Sequence, residues 1–334
     1  MNDIYILAIE SSCDETSIAI IKNGCEVIAL KTNTQISTHE KYGGVIPEVA
    51  SRMHCENITI VLNETLEEAK MSIDEMDAIA VTYGPGLLGS LLVGVNFAKT
   101  LCAIYKKPLI AVNHLIGHIY ANNIESKLEF PLLALVVSGG HTELLYMPED
   151  YSFNLLGQTL DDAIGECYDK VAKVLGEKYP GGPNVERLAK LGKEDYHFSV
   201  PMNDDSYNFS YSGLKSNILN FVNSKKMKNE SINKADIAYS FQKTAIKEIC
   251  NKVTKALDEC DVKQLVVAGG VSANAYLKAE LSDICSEKKV DLKIPSLKYC
   301  TDNAAMIGAA AYYKYLKKDF SQLDIDANPS LNIC

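Results

Sequence analysis

What this sequence lacks narrows its class first. Its ten cysteines are scattered from Cys13 to Cys334 with no C-x-x-C pair among them. A chain of 334 residues, 47% hydrophobic, can bury enough apolar surface to fold without covalent staples. Reduced thiols in a cytoplasmic protein are therefore expected. No signal peptide is expected, because the apolar run at residues 4–9 is bracketed by Asp3 and Glu10 and has neither a basic flank nor sufficient length. No stretch reads as a membrane span, and no membrane partner is expected. Positive charge is short as well: a net charge of −10 excludes a protein that coats nucleic acid through a global basic field. Local lysine groups such as Lys225, Lys226 and Lys228 remain, and solvated faces account for most such runs. A Walker A lysine loop and a G-x-G-x-x-G fingerprint after the first strand are both missing.

What is present is a pattern that occurs twice. Residues 4–9 form a β-type run, followed by a polar turn at 10–15, a second run at 16–21 and the turn signal Asn23-Gly24, which together predict a hairpin with a polar tip. Residues 132–137, the tip Ser138-Gly-Gly-His141 and the run 142–146 predict a second one. Next in the first half comes a strand at 78–82, the turn Gly84-Pro-Gly86 and a small-residue helix from Leu87 to about Cys102; in the second, a strand at 264–268, Gly269-Gly270 and a helix after Ser272. Short strands at 109–112 and 292–294 follow, and then a helix each.

This repetition predicts an α/β protein of duplicated actin-like lobes (the sugar-kinase and heat-shock-chaperone architecture, RNase H-like) with a nucleotide cleft between them. The first lobe is expected at 1–112 plus 303–325, and the second at 113–302 with an insertion at about 150–235. The last helix, from about Asn303 to Tyr315, is expected to pack on the first lobe. Glycine turns expose backbone NH groups to anions, so three of them in one chain suit a phosphate cradle, although paired glycines also simply make tight turns.

His114 and His118 stand four apart, which on a helix leaves their Cβ atoms about 5–6 Å apart on one face. Two polar histidines on an exposed face and two ligands of one metal ion both satisfy that spacing. Equivalence of the halves sets Asp302 opposite them across the cleft as a third ligand; its alternative role is to cap the final helix. Two imidazoles and a carboxylate suit Fe(II) and Zn(II) equally. The H-E-x-x-H arrangement of metalloproteases is not met, since position 115 is Leu and no glutamate base stands there.

The motifs Ile9-Glu-Ser-Ser-Cys-Asp-Glu-Thr16, Tyr42-Gly-Gly-Val-Ile-Pro-Glu48, Gly84-Pro-Gly-Leu87, Asn113-His-Leu-Ile-Gly-His118, Val137-Ser-Gly-Gly-His-Thr142, Tyr179-Pro-Gly-Gly-Pro183, Ser210-Tyr-Ser-Gly-Leu-Lys215, Ala268-Gly-Gly-Val-Ser-Ala-Asn274 and Cys300-Thr-Asp-Asn303 occur in this order. In them the chain resembles, over nearly its whole length, the bacterial tRNA threonylcarbamoyladenosine transferase family, related to the catalytic subunit of the KEOPS complex. The resemblance implies transfer of threonylcarbamoyl from threonylcarbamoyl-AMP to N6 of adenosine at position 37 in tRNAs reading codons that begin with A, with AMP leaving. It implies one divalent metal held by His114, His118 and Asp302. It implies substrate contacts at Val136, Val137, Ser138, Gly139, Gly140, Asp169, Gly182 and Asn274. It also implies work with a smaller paralogue (TsaB-like) and an ATPase (TsaE-like). Val136 stands where archaeal relatives carry a tyrosine ligand, which puts a fourth protein ligand in doubt.

The residues fit these roles. Ile164, Cys167, Tyr168, Val171 and Leu175 have helical apolar spacing that leaves Asp162, Glu166, Asp169 and Lys173 on the polar side, and Gly182 falls in a stiff turn. Asp14 and Glu15 at the first hairpin tip, and His141 at the second, are candidates for positioning or proton transfer. Two other classes compete: a metal-dependent glycoprotein endopeptidase, and a small-molecule kinase of the same fold.

Overall fold

Strands that are apolar at every position belong in a sheet covered on both faces, and the first of them set the frame. The structure is a computed structural model and describes residues 3–334. β1 (Tyr5–Glu10) runs antiparallel to β2 (Glu15–Lys22), which runs antiparallel to β3 (Glu26–Thr34); α1 (Ile36–His39) is a single turn. α2 (Pro47–Ala69) starts with proline at its first turn and ends at Lys70 in the left-handed region, φ 53°, the pattern of a start without a needed NH and a reversed C-terminus. β4 (Ala78–Gly84) and β5 (Leu109–Asn113), joined by α3 (Leu88–Tyr105), lie parallel to β1, giving the order β3-β2-β1-β4-β5. α4 (His114–Glu125) follows β5 directly.

The second sheet repeats this plan. β6 (Leu132–Val137), β7 (Thr142–Met147) and β8 (Asn154–Gln158) form the antiparallel meander, and β9 (Gln264–Ala268) and β10 (Asp291–Lys293) add on in parallel, for the order β10-β9-β6-β7-β8. Even the register breaks correspond, one at Ile20/Ile21 and one at Leu144/Leu145. Between β8 and β9 stand α5 (Ile164–Leu175), α6 (Gly181–Ala189), α7 (Ser212–Met227) and α8 (Lys234–Glu259). α8 occupies the place that α2 has in the first half, so the additional material is what lies between β8 and α8. α9 (Ala275–Lys288) joins β9 to β10, and α10 (Leu297–Cys300) and α11 (Ala304–Leu316) close the helical part.

The chain divides into two compact units: residues up to Leu128 together with Pro295–Cys334, and Glu129–Ile294. The boundaries expected at 112/113 and 302/303 thus move to 128/129 and 294/295. The cause is α4, which packs on α11 and against β4 and β5, while α11 also covers β1 and β2. In the first unit α2 and α3 cover the other face of the sheet, where Ile58, Val61, Val95, Ala98 and Leu101 meet Leu7, Ile9, Ile18, Ile20, Ile79 and Val81. In the second, the expected apolar face of α5 (Ile164, Cys167, Tyr168, Val171, Leu175) is wholly buried in the core, where α5 packs on α6 and α7 and Tyr168 meets Phe241 of α8.

Three expectations need correction. The 18-residue α3 is long and apolar enough by composition to cross a membrane, against the expectation that no stretch is; its Leu91, Gly94, Val95, Ala98 and Leu101 are buried. Strands β3 and β8 were not anticipated. The turn at 180–183 is the first turn of α6, with Pro180 as its cap. All ten cysteines are free thiols.

Candidate metal centre and glycine turns

Asn113 ends β5 and caps α4: its Oδ1 accepts from Leu115 N at 2.8 Å and Ile116 N at 3.3 Å. This cap satisfies two of the NH groups that a helix start leaves bare, and it begins the helix at His114. One turn on comes His118. Their rings stand edge to face with centroids 4.7 Å apart, and both are buried, which removes the reading of two histidines on an exposed face. Asp302 lies in the short segment between α10 and α11, in the same unit as the histidines, not across a cleft from them. Its Oδ1 is 3.0 Å from His118 Nε2 and 3.4 Å from His114 Nε2. The capping alternative fails, since Asn303 caps α11 by accepting from Met306 N at 3.1 Å.

One ligand atom from each of these residues lies within 4.8 Å of the others. Two bonds of about 2.0–2.2 Å meeting at 90–109° hold ligand atoms about 2.8–3.6 Å apart, so both nitrogen–oxygen distances to Asp302 suit a shared ion. Behind His114 stands Glu10, fully buried at the end of β1. His114 Nδ1 lies 3.0 Å from Glu10 Oε2 and 3.1 Å from Ser12 Oγ. With its proton on Nδ1 given to the carboxylate, the ring leaves Nε2 bare toward Asp302, the arrangement by which a second carboxylate orients a ligating histidine. Glu10 is itself held by Thr82 Oγ1 at 2.6 Å and Ser12 N at 2.6 Å. The Nδ1 atom of His118 is buried with no hydrogen-bond partner among the described residues.

Electrostatics follow the same geometry. Burial disfavours charge on Asp302, but the adjoining His114 and His118 outweigh it and hold the carboxyl well below the usual range. Glu10 is held low against its burial by His114. His114 is driven well above the ordinary imidazole value, because Asp302 and Glu10 overcome the desolvation that opposes its charge. A cation is what this pocket favours.

At the first hairpin tip Asp14 is 6% exposed, and its Oδ2 has no partner among the described residues. Glu15 accepts from Thr34 Oγ1 at 3.3 Å; burial, then the charges of Asp302 and Asp14, push its carboxyl well above its ordinary value. The second unit carries the other predicted residues. Val136 and Val137 are fully buried within β6, so their side chains belong to the sheet's packing. Ser138 and His141 close the second tip through Ser138 N to His141 O at 2.9 Å and His141 N to Ser138 Oγ at 3.1 Å. Gly139 and Gly140 between them are exposed, and a Cβ at either would meet nothing within 4 Å. Asp169 Oδ1 accepts from Gly181 N at 2.6 Å, binding α5 to the start of α6, where Gly182 faces open space. Asn274 caps α9 through Leu277 N at 3.0 Å and donates to Gln242 Oε1 at 3.0 Å, so structural bonds already engage both ends of its amide.

Sequence reasoning missed Glu10 and Ser12. The available signal was a glutamate closing an otherwise apolar strand, at a place where a charge needs a partner.

Residues 26–309 match the family model described as TsaD, tRNA N6-adenosine threonylcarbamoyltransferase. A curated protein of that name from Staphylococcus carnosus (strain TM300) is 52% identical over 332 residues, covering 99% of this chain and 97% of the relative. One from Staphylococcus aureus (strain Newman) is 51% identical with the same coverage. Among solved structures, component A of the (R)-2-hydroxyglutaryl-CoA dehydratase of Acidaminococcus fermentans superposes with a TM-score of 0.57 at 18% identity, over 95% of this chain and 99% of that one. HypF of T. kodakarensis does so with 0.64 at 16% identity, over 95% of this chain and 48% of that one. These two carry the fold alone, and it is the duplicated actin-like one.

Proposed function

Because the chain belongs to the tRNA N6-adenosine threonylcarbamoyltransferase family, it transfers the threonylcarbamoyl group to tRNA adenosine, and we propose that His114, His118 and Asp302 hold one divalent metal for that reaction. The donor is threonylcarbamoyl-AMP, the acceptor is N6 of adenosine 37 in tRNAs reading codons that begin with A, and AMP leaves. The observation that carries the metal reading is the gathering of two buried imidazoles and a carboxylate, with ligand atoms all within 4.8 Å of one another, and with Glu10 orienting His114 from behind. The donor set suits Fe(II) or Zn(II). Such an ion supplies a Lewis acid for the phosphate end of the donor.

In this reading the chain's own residues do the remaining work. Glu10 and Ser12 fix the tautomer of His114. The backbone NH groups of the exposed Gly139 and Gly140 receive a phosphate or the oxyanion that develops as N6 attacks the carbamoyl carbon. Gly182 allows close approach, and Asp169 and Asn274 receive the nucleoside. Val136 and Val137 contribute through the backbone that leads into the tip. As the bond from the carbonyl carbon to phosphate breaks, AMP takes the electron pair and the amine must lose a proton. Asp14, with an unpartnered Oδ2 among the described residues, and Glu15, whose carboxyl burial pushes well above its ordinary value, are the candidates at the first tip; His141 is the candidate at the other. Exposed Leu88 and Ile104 on α3 and Ile60 on α2 support docking of a paralogue, while the ATPase partner rests on the family likeness.

Depleting the protein and measuring threonylcarbamoyladenosine in bulk tRNA tests the activity. The modified nucleoside should fall with the protein. Unchanged levels in cells with no second copy of the gene contradict the reading.

A further inference from the structure

The segment after α11 follows a path that no periodicity announced. Ser321 pairs with Leu109 on the open edge of β5, through Ser321 N to Leu109 O at 2.8 Å and Ala111 N to Ser321 Oγ at 3.0 Å. Lys99 Nζ then holds Ile325 O at 2.9 Å, and Ile325 and Ala327 pack on the core of the first unit. Beyond them the chain crosses the ends of β4 and β5: Asn328 N donates to Tyr83 O at 2.7 Å, Gly86 N to Pro329 O at 3.2 Å, and Asn113 Nδ2 to Asn332 O at 3.1 Å. The approach is so close that a Cβ on Gly84 would lie 2.0 Å from Asn328 O.

The last three of these anchors lead to the metal centre through short chains of bonds. Thr82, just before Tyr83, donates to Glu10. Leu87, next to Gly86, donates to Ser12 O at 2.8 Å, and Ser12 reaches His114. Asn113 caps the helix that carries both histidines. An asparagine amide has two ends, and giving Nδ2 to Asn332 O fixes which end faces the helix. The cap's Oδ1 is thereby aimed at Leu115 N and Ile116 N.

We infer that residues 328–332 are a positioning clasp for the metal centre, holding the Asn113 cap and the Gly84–Gly86 turn so that His114 and His118 start from a fixed first turn. The segment lies past residue 309, where the family-model match ends. This inference rests on the metal reading only for its consequence, and the geometry of the cap can be tested without any metal.

The test uses the full chain and a variant lacking residues 328–334, with two readouts. In metal-free protein, amide hydrogen exchange in peptides covering 113–118 should speed up at least tenfold on removing the segment, while peptides from β6 and α8 stay unchanged. In titration with Co(II), followed by its visible absorption, affinity should weaken at least tenfold. A synthetic peptide of residues 326–334 added in trans should restore both in part. Should the shortened chain not fold, Asn113→Ser serves instead: serine still caps a helix but is too short to reach Asn332 O, so both readouts should move in the same direction. Exchange at 113–118 unchanged within twofold in whichever variant folds overturns the clasp. Failure of the full chain itself to bind Co(II) overturns the metal reading, while the exchange result still decides the clasp.

Discussion

The two hairpin tips hold the same place in two sheets of the same topology, yet one is sealed and the other open. At the first, Ser11, Ser12 and Asp14 are buried, and the carbonyls of Ser12, Cys13 and Asp14 accept from Leu87 N, His54 Nε2 and Gln35 N. At the second, Gly139 and Gly140 stand exposed, and a Cβ at either would meet nothing within 4 Å. A duplicated scaffold has thus been put to two uses. One tip is built into the wall behind a charged centre, and the other leaves two glycines exposed, where the proposed anion site lies.

Breaking that contrast at the sealed tip should cost most. A Cβ on Gly86 would lie 2.6 Å from Ser12 O, and neither backbone can yield cheaply, so Gly86→Ala should destabilise the protein by about 3 kcal/mol, read from denaturant midpoints. An unshifted midpoint would mean that the first tip is as open as the second.

The open tip's returning strand carries the next effect. Burial pushes Glu143 up to about 7, so between about pH 4.5 and 7 the folded chain keeps a proton that the unfolded chain loses. Stability from this group therefore falls as pH rises through that window and levels off above it. Glu143→Gln should be more stable than the wild type at pH 8, by at most about 3 kcal/mol, and should show no advantage near pH 4. A difference independent of pH would refute the assignment.

Smaller effects separate the chemistry of the two tips. Glu10→Gln removes the carboxylate behind His114 and should weaken metal binding by about tenfold to a hundredfold, measured by competition with a chelator. Gly140→Ala meets no neighbour; it should leave the melting temperature alone and raise the KM for threonylcarbamoyl-AMP by about tenfold, or about 1.4 kcal/mol. If KM stays put, the open tip is not the anion site.

Most of the sheet plan was legible because burial on both faces writes uninterrupted apolar runs, as in β1, β4, β6 and β9. β3 and β8 were not, since they are largely exposed at the sheet edges and their sequences EVIALKTNT and NLLGQ mix polar with apolar residues. The two histidines could be read from their helical spacing. Asp302 came from the equivalence of the halves, with the wrong lobe attached, because strand patterns do not show that α4 and α11 pack together. Glu10 looked like the polar end of a strand, and its burial depends on Thr82 and His114, which lie 72 and 104 residues away. The segment beyond α11 has no periodicity to read at all.

If His114, His118 and Asp302 hold an ion that threonylcarbamoyl transfer needs, activity must follow occupancy of that site. Chelator-stripped protein, with whatever partner subunits transfer requires, should be assayed with threonylcarbamoyl-AMP and tRNA before and after adding one equivalent of Fe(II) or Zn(II), beside the double variant His114→Ala, His118→Ala. Stripping should abolish transfer, one equivalent should restore it to the wild type, and the variant should neither bind the ion nor recover. Full transfer by the metal-free variant would contradict it.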